Sequence, residues 1–484
     1  MTNAYLTQKS LNQLQLVGAG ALTVAAFLGV FLIGDPAELA GYIAILFAAV
    51  APVILWVRHR GIGLPILPII GLGYFSYYGV AVLSGNTDRY QPDQVLTACL
   101  TVAAFLIAAT LCWSAFAFRR HSELFERDRE LQVDAALPRL MFSALLFGVL
   151  FEVGSKGNWW DLLGTWLGTF RSLAMAAMSV GCFLFGTAIG RGRLKPFERV
   201  SAYGLVALLM IVEVSELIMH MAIVLMGAVL IGYIISSKRL PLLALVVIVP
   251  IVGFLHGAEN LERDRYWQPA TGERQTIGIL QIPDLMVEWV SAGLDHMGTA
   301  NSDDQNLASR ASQLRMLLIA EEQTPRNIDF LNGVTYANFP AMVVPRFLIR
   351  DKITSQENLN ILSVRYRLQR PEDVDNTTIA WNLVPEAYAN FGYPGVVLVG
   401  FAFGLVVGLI TWATLGAPPI SLRGLIGLAS LVTLLDMEYD FSYLMVNLFQ
   451  SIFSISMFYI GMKIVEFFLG RNTLDHSASG FRSV

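Results

Sequence analysis

The sequence is short of charge. Only 14% of its 484 residues are Asp, Glu, Lys or Arg, whereas 55% are hydrophobic and the mean hydropathy is +0.57. Soluble domains carry about 25% charged and about 45–50% apolar residues, so this composition excludes an ordinary soluble enzyme and implies a polytopic membrane protein. Cysteine is equally scarce. Cys99, Cys112 and Cys182 all fall inside apolar runs without metal-ligand spacing, which leaves no disulfide framework and no zinc site, and they read as small core residues. The formal net charge is −4, and nothing in it calls for a nucleic-acid partner. Residues 1–15 are polar and precede a full-length apolar run, so the first span reads as retained rather than as a cleaved signal.

What is present is a series of apolar stretches. A span needs about 20 mainly apolar residues, and twelve stretches qualify as candidates: 15–33, 38–57, 62–84, 94–118, 138–154, 166–189, 199–214, 217–236, 239–256, 393–414, 420–436 and 442–469. Within 199–236 the polar interruption Glu213, Ser215, Glu216 suggests a tight turn between two helices, with one long tilted helix as the alternative. The expected class is an all-α polytopic protein of about 12 transmembrane helices with one large, partly helical loop. Its parts are a membrane domain over 1–256, the loop over 257–392, further membrane helices over 393–470 and a tail over 471–484.

Short-loop arginines and lysines stay on the cytoplasmic side. With the N-terminus inside, cytoplasmic loops hold Arg58, Arg60, Arg119, Arg120, Arg127, Arg129, Arg191, Arg193, Lys195, Arg199, Lys238, Arg239 and Arg423, and the tail holds Arg471. The opposite loops hold only Arg89 and Lys156. Both termini are therefore expected to be cytoplasmic and the 257–392 loop to lie on the opposite face. Long loops translocate largely regardless of charge, so its arginines do not conflict with that orientation.

Ionisable residues inside or at the ends of spans are costly in lipid and are candidates for function. Glu152, Arg171, Glu213, Glu216, His220, His256, Asp436, Glu438 and Asp440 are such residues, and nearly all fall at one expected depth, on the side of the large loop. The plainer reading is that such groups snorkel to the headgroups. It is harder to hold for Arg171 and Glu152, whose neighbours are apolar and which could pair.

The loop carries eleven arginines and one lysine in 136 residues. Residues 301–324 read as a helix, with Ser302 and Gln305 spaced as a capping box and Leu307, Ala311, Leu314 and Leu318 along one face, flanked by Arg310 and Arg315. Such a helix could lie in the membrane interface or pack on a core within the loop. Further on, Arg346, Arg350 and Lys352 crowd beside Pro345 as a candidate anion clamp, since arginine's planar fork binds phosphate oxygens in pairs; salt bridges to loop carboxylates are the alternative. Arg365, Arg367 and Arg370 alternate as an extended segment would place them.

The order Arg310-Ala-Ser-Gln-Leu-Arg315, Thr324-Pro325, Phe330-Leu-Asn-Gly-Val-Thr-Tyr336, Val344-Pro-Arg-Phe-Leu-Ile-Arg-Asp-Lys352, Pro385-Glu-Ala-Tyr-Ala-Asn-Phe-Gly392 and Gly395 resembles the bacterial O-antigen polymerases of the Wzy type and related exopolysaccharide repeat-unit polymerases. The likeness in motif detail covers about 305–415. It implies a GT-C-like glycosyltransferase of the bacterial inner membrane with a periplasmic loop, acting on polyprenyl-diphosphate-linked oligosaccharides without cofactor or metal. A flippase and a chain-length regulator of the same pathway would be its partners, alongside the bilayer.

Under that resemblance Glu386 is the first candidate for general base and His220 the second, with Arg346 and Arg350 stabilising the diphosphate leaving group. Arg171, Arg310, Arg315, Lys352, Tyr336 and Tyr388 would bind diphosphate or glycan. One departure is that relatives often have an arginine near the turn opening a mid-chain span, where this chain reads Ser215-Glu-Leu-Ile-Met-His220. An O-antigen ligase, a transporter or flippase of lipid-linked glycans, and a non-catalytic scaffold are the alternatives.

Overall fold

The computed structural model describes residues 8–118 and 137–479, apart from 62, 86, 88, 158, 161–163, 165–166, 218, 268–276, 299–312, 345–348, 350–351 and 375–378. Among the described residues the protein is helical and has no strand. In chain order the helices are α1 (Gln8–Leu32), α2 (Pro36–Arg58), α3 (Ile66–Tyr74), a π-helical turn (Phe75–Gly79), α4 (Val80–Leu83), α5 (Pro92–Ala117), α6 (Leu137–Lys156), α7 (Leu167–Gly190), α8 (Pro196–Val214) and α9 (Met219–Ser237). They continue as α10 (Leu242–Trp267), α11 (Ile282–Gly298), α12 (Gln313–Gln323), α13 (Val334–Ala337), α14 (Phe339–Val343), α15 (Ser355–Arg365), α16 (Leu383–Thr414), α17 (Leu422–Leu434) and α18 (Phe441–Ser479).

Each of the twelve apolar stretches overlaps helical residues, and among the described residues eight helices are long and apolar enough to cross a membrane. Shorter apolar helices cover Met221–Ser237, Leu242–Leu255 and Leu422–Leu434. The interruption after Glu213 is a turn, as expected: α8 stops at Val214, and α9 starts at Met219 after Leu217 adopts a left-handed φ of 58°. The last part of the loop differs from expectation. Helix α16 starts at Leu383 rather than at 393 and bends at Gly392, whose φ of 66° and ψ of −159° are open to glycine but not to residues with a Cβ. Residues 365–370 are also not extended, because Arg365 closes α15 and Arg367 sits in a turn with φ of 56°.

The chain forms two compact units. The first comprises 1–126, 301–416 and 430–449, and the second 127–300, 417–429 and 450–484. In the first, α16 packs along α5, and α12 packs on both. Gly400, Gly404 and Gly408, four residues apart, turn one face of α16 against the backbone of Phe105, Ala109 and Trp113, where a Cβ would collide. Lipid supplies no hydrophobic force between helices, so such close backbone approach supplies the packing instead. In the second unit Gly186 and Gly232 bring α7 and α9 together in the same manner.

Candidate functional site

The polar core of the first unit is built on three helix starts. Asn382 caps α16, its Oδ1 accepting from the Val384 N–H at 3.0 Å while its amide donates to the Met437 carbonyl. One turn on, Glu386 and Asn390 share a face. Asp440 precedes α18 and accepts from the Tyr443 N–H at 2.8 Å, the ordinary N-cap geometry. Asn358, from α15, donates to Asp440 Oδ2 at 3.2 Å and to the Thr335 carbonyl at 3.2 Å, and its own Oδ1 accepts from Asn338 at 2.9 Å. Asn390 stitches the Gly333–Asn338 segment into place through the Gly333 N–H and the Thr335 hydroxyl, both at 3.0 Å. Ser442 adds a bond to the Thr335 carbonyl at 2.8 Å.

Two carboxylates result, both fully buried. Glu386 Oε2 accepts from the Phe441 N–H at 2.7 Å, and the Thr335 hydroxyl, itself accepting from Asn390, stands beside the carboxyl as a second neutral donor. Burial raises the Asp440 carboxyl above its usual range, against the opposing bonds from Tyr443 and Asn358. The two helix N-termini favour negative charge here while desolvation opposes it. Among the described residues no cation pairs with either acid. The hydroxyls of Tyr336, Tyr74 and Tyr78 are also buried without partners. Tyr336 interacts electrostatically with Glu386 and Asp440, and burial holds its phenol protonated. Its ring packs on Phe391 and Phe441, with centroids 5.9 and 5.2 Å away. Tyr77 and Tyr78 stand in the π-helical turn, and Tyr77 donates to Glu438 at 2.9 Å. Native buried polar groups almost always have partners, so the Tyr336 hydroxyl beside these two acids is a donor left over by the fold.

Of the residues singled out in the sequence, Glu386 and Tyr336 therefore come together. Tyr388 is buried nearby, its hydroxyl donating to the Thr324 carbonyl at 3.2 Å as a brace. Arg315 lies exposed on α12, while Leu314 and Leu318 on that helix are buried. The part of the predicted 301–324 helix that is described thus packs on α5 and α16. Lys352 donates to the carbonyls of Met342 and Val344 and so caps the end of α14. Arg310, Arg346 and Arg350 lie outside the described residues.

His220 and Arg171 belong to the second unit. His220 stands in the first turn of α9, and Arg171 is exposed near the start of α7. Arg171 faces the Glu152 and Glu213 carboxyls, and Lys156 pairs with Glu216 at 2.7 Å. Arg263, on α10, holds the α8–α9 turn: its Nε donates to the Leu217 carbonyl at 2.6 Å and its guanidinium pairs with Glu259, which accepts from the Met219 N–H at 3.3 Å.

Sequence reasoning missed Asn358, Asn390, Thr335 and the tyrosines of α3 and the π turn as parts of the site, and placed Asp440 only among span-end charges. The Asp440–Phe441 step, an N-cap residue opening an apolar run, was the available signal. No protein-family model, curated protein or solved structure matches this chain. Its function is argued from its own residues.

Proposed function

We propose that the chain is a membrane-embedded glycan transferase that polymerises polyprenyl-diphosphate-linked oligosaccharide repeat units on the periplasmic face of a bacterial inner membrane, using about 12 spans in a GT-C-like frame. The observation that carries the reading is Glu386. It lies in the Glu-Ala-Tyr-Ala-Asn-Phe-Gly segment, fully buried, with Asp440 beside it and no cation paired to it among the described residues. Glu386 Oε1 takes the proton of an acceptor-sugar hydroxyl as that oxygen attacks the anomeric carbon of the donor. The bond from the anomeric carbon to the diphosphate oxygen breaks, and the lipid diphosphate leaves with the electron pair. Asp440 orients the pocket wall beside Glu386, and Tyr336 donates to a glycan oxygen. Arg346 and Arg350 are assigned to the leaving diphosphate, with Arg310, Arg315 and Arg171 as further anion contacts.

The test is Glu386→Gln, which keeps an acceptor for the Phe441 N–H. Purified protein given lipid-linked repeat units is expected to lose its product ladder by about 100-fold or more, in line with removal of a general base. Full ladder output by this variant, or by an Arg346→Ala, Arg350→Ala double variant, overturns the corresponding assignment. A single transfer onto lipid A instead of a ladder identifies a ligase.

One observation favours a second reading. Two adjoining buried acids with no paired cation among the described residues are also what a proton-coupled transporter of lipid-linked glycans uses as its relay. Translocation of labelled lipid-linked glycan in vesicles without any new glycosidic bond would select it.

A further inference from the structure

In the second unit α11 has two faces, and the outward one is apolar. At 100° per residue, Ile282, Leu285 and Trp289 fall on one side and are buried against Leu217, Met219, Ala222 and Ala258. The helix is held there tightly: the Trp289 indole donates to the Leu255 carbonyl at 2.8 Å, and a Cβ at Gly293 would strike the Phe254 ring. Glu288 is tied to the end of α10 by the Tyr266 hydroxyl at 2.8 Å and by Arg265 at 3.2 Å. The other side exposes Val287 at 70% and Leu294 at 60%, with Val290 at 44%, and the 3-10 turn Ile279–Gln281 that leads into the helix exposes Leu280 at 92%. Asp284, Glu288 and Ser291 border this strip along one edge only.

Three facts bear on what covers the strip. The Trp289 anchor fixes the depth of α11, because Leu255 ends the apolar stretch Leu242–Leu255 of α10, whose Leu243, Val246 and Ile251 are also exposed. A helix latched at the last turn of an apolar stretch lies at the boundary between hydrocarbon and headgroups. The strip is continuous and uncharged with a polar border on one edge, the pattern of a helix lying in the interface plane. The eight long apolar helices put a bilayer beside this protein in any case. We infer that α11, with the turn leading into it, is an interfacial helix whose Leu280–Val287–Leu294 strip is seated in the lipid headgroup and upper acyl region. The inference does not rest on the glycan-transfer reading.

The test places a single cysteine carrying an environment-sensitive fluorophore at 280, 287 or 294, and as controls at 284 or 291. The background replaces Cys99, Cys112 and Cys182 and must keep the parent's melting temperature. In phosphatidylethanolamine–phosphatidylglycerol vesicles, probes at 280, 287 and 294 are expected to be quenched at least twofold more by a nitroxide near the headgroup than by one deep in the acyl chain, and hardly by aqueous iodide. Probes at 284 and 291 should show the reverse preference for iodide. Iodide quenching at 287 and 294 equal to that at 284 would mean that the strip faces water. Protection at 287 and 294 from both lipid nitroxides and iodide would mean that protein covers it. Either result overturns the inference.

Discussion

Glu386 and Asp440 in the first unit and Glu259 in the second are buried acids held by opposite means. In the first, Glu386 and Asp440 are held by amides and backbone N–H groups from Asn358, Phe441 and Tyr443. In the second, the buried Glu259 meets Arg263, and the half-exposed Glu216 meets Lys156. An acid held only by neutral donors has no cation fixing it in the charged form, so its ionisation responds to whatever enters. An acid held by a cation is already neutralised as a pair, and its work is structural. The first arrangement belongs to chemistry or transport, and the second to fixing helix ends.

This contrast is broken most directly in the first unit. Asn358→Leu removes the donor to Asp440 Oδ2, which leaves a buried carboxylate oxygen without it, and one of the two donors to the Thr335 carbonyl, which keeps Ser442. The first loss costs about 1–3 kcal/mol, so a clear fall in melting temperature is expected, together with loss of activity. The counterpart is Arg263→Met. It strips the guanidinium from Glu259, which is buried, and from the Leu217 carbonyl in the strained turn. Arg263 is itself partly exposed, so water reaches this site, and a cost of about 2 kcal/mol is expected. If activity survives Arg263→Met in proportion to the remaining folded fraction, the pair is structural. A selective loss of activity would assign it to the site.

How much of this was legible follows from range. Apolar runs of span length name their own helices, and the turn after Glu213 and the importance of Glu386 could be read locally. The site's hydrogen bonds could not. Asn358 reaches Asp440 across 82 positions, and Phe441 reaches Glu386 across 55. No local period encodes such pairings. The apolar stripe of α12 was visible, but whether it faced lipid or protein depended on α5 and α16. The lipid-facing strip proposed here instead belongs to α11, which had not been distinguished within the loop.

A smaller effect sharpens the comparison through pH. Glu321, on α12, is half-buried against α5 and accepts from the Thr101 hydroxyl at 3.0 Å. Burial pushes its carboxyl from the ordinary 4.5 up to about 7, although the Thr101 bond pulls the other way. The folded state therefore holds a proton that the unfolded chain releases. Its stability is fully present below about pH 4.5 and declines as pH rises towards about 7, where the loss is complete. Glu321→Gln should remove this slope and raise the melting temperature at pH 7.5 by the equivalent of about 1–3 kcal/mol. Unchanged pH dependence in the variant would place the carboxyl in water.

The smallest expected effect is at Glu216. Its side chain is 47% exposed whereas that of its partner Lys156 is 7% exposed, so in Glu216→Gln the group that stays behind is the buried ammonium. An isolated buried ammonium would be costly, but Glu152 and Glu213 both interact electrostatically with Lys156 and remain to compensate it. The exchange should therefore cost less than about 1 kcal/mol, as for an exposed pair. A cost several times larger would mean that Lys156 depends on Glu216 alone. In that case the second unit holds separate ion pairs, and the distinction drawn between a shared charge network there and neutral donors in the first unit would have to be redrawn.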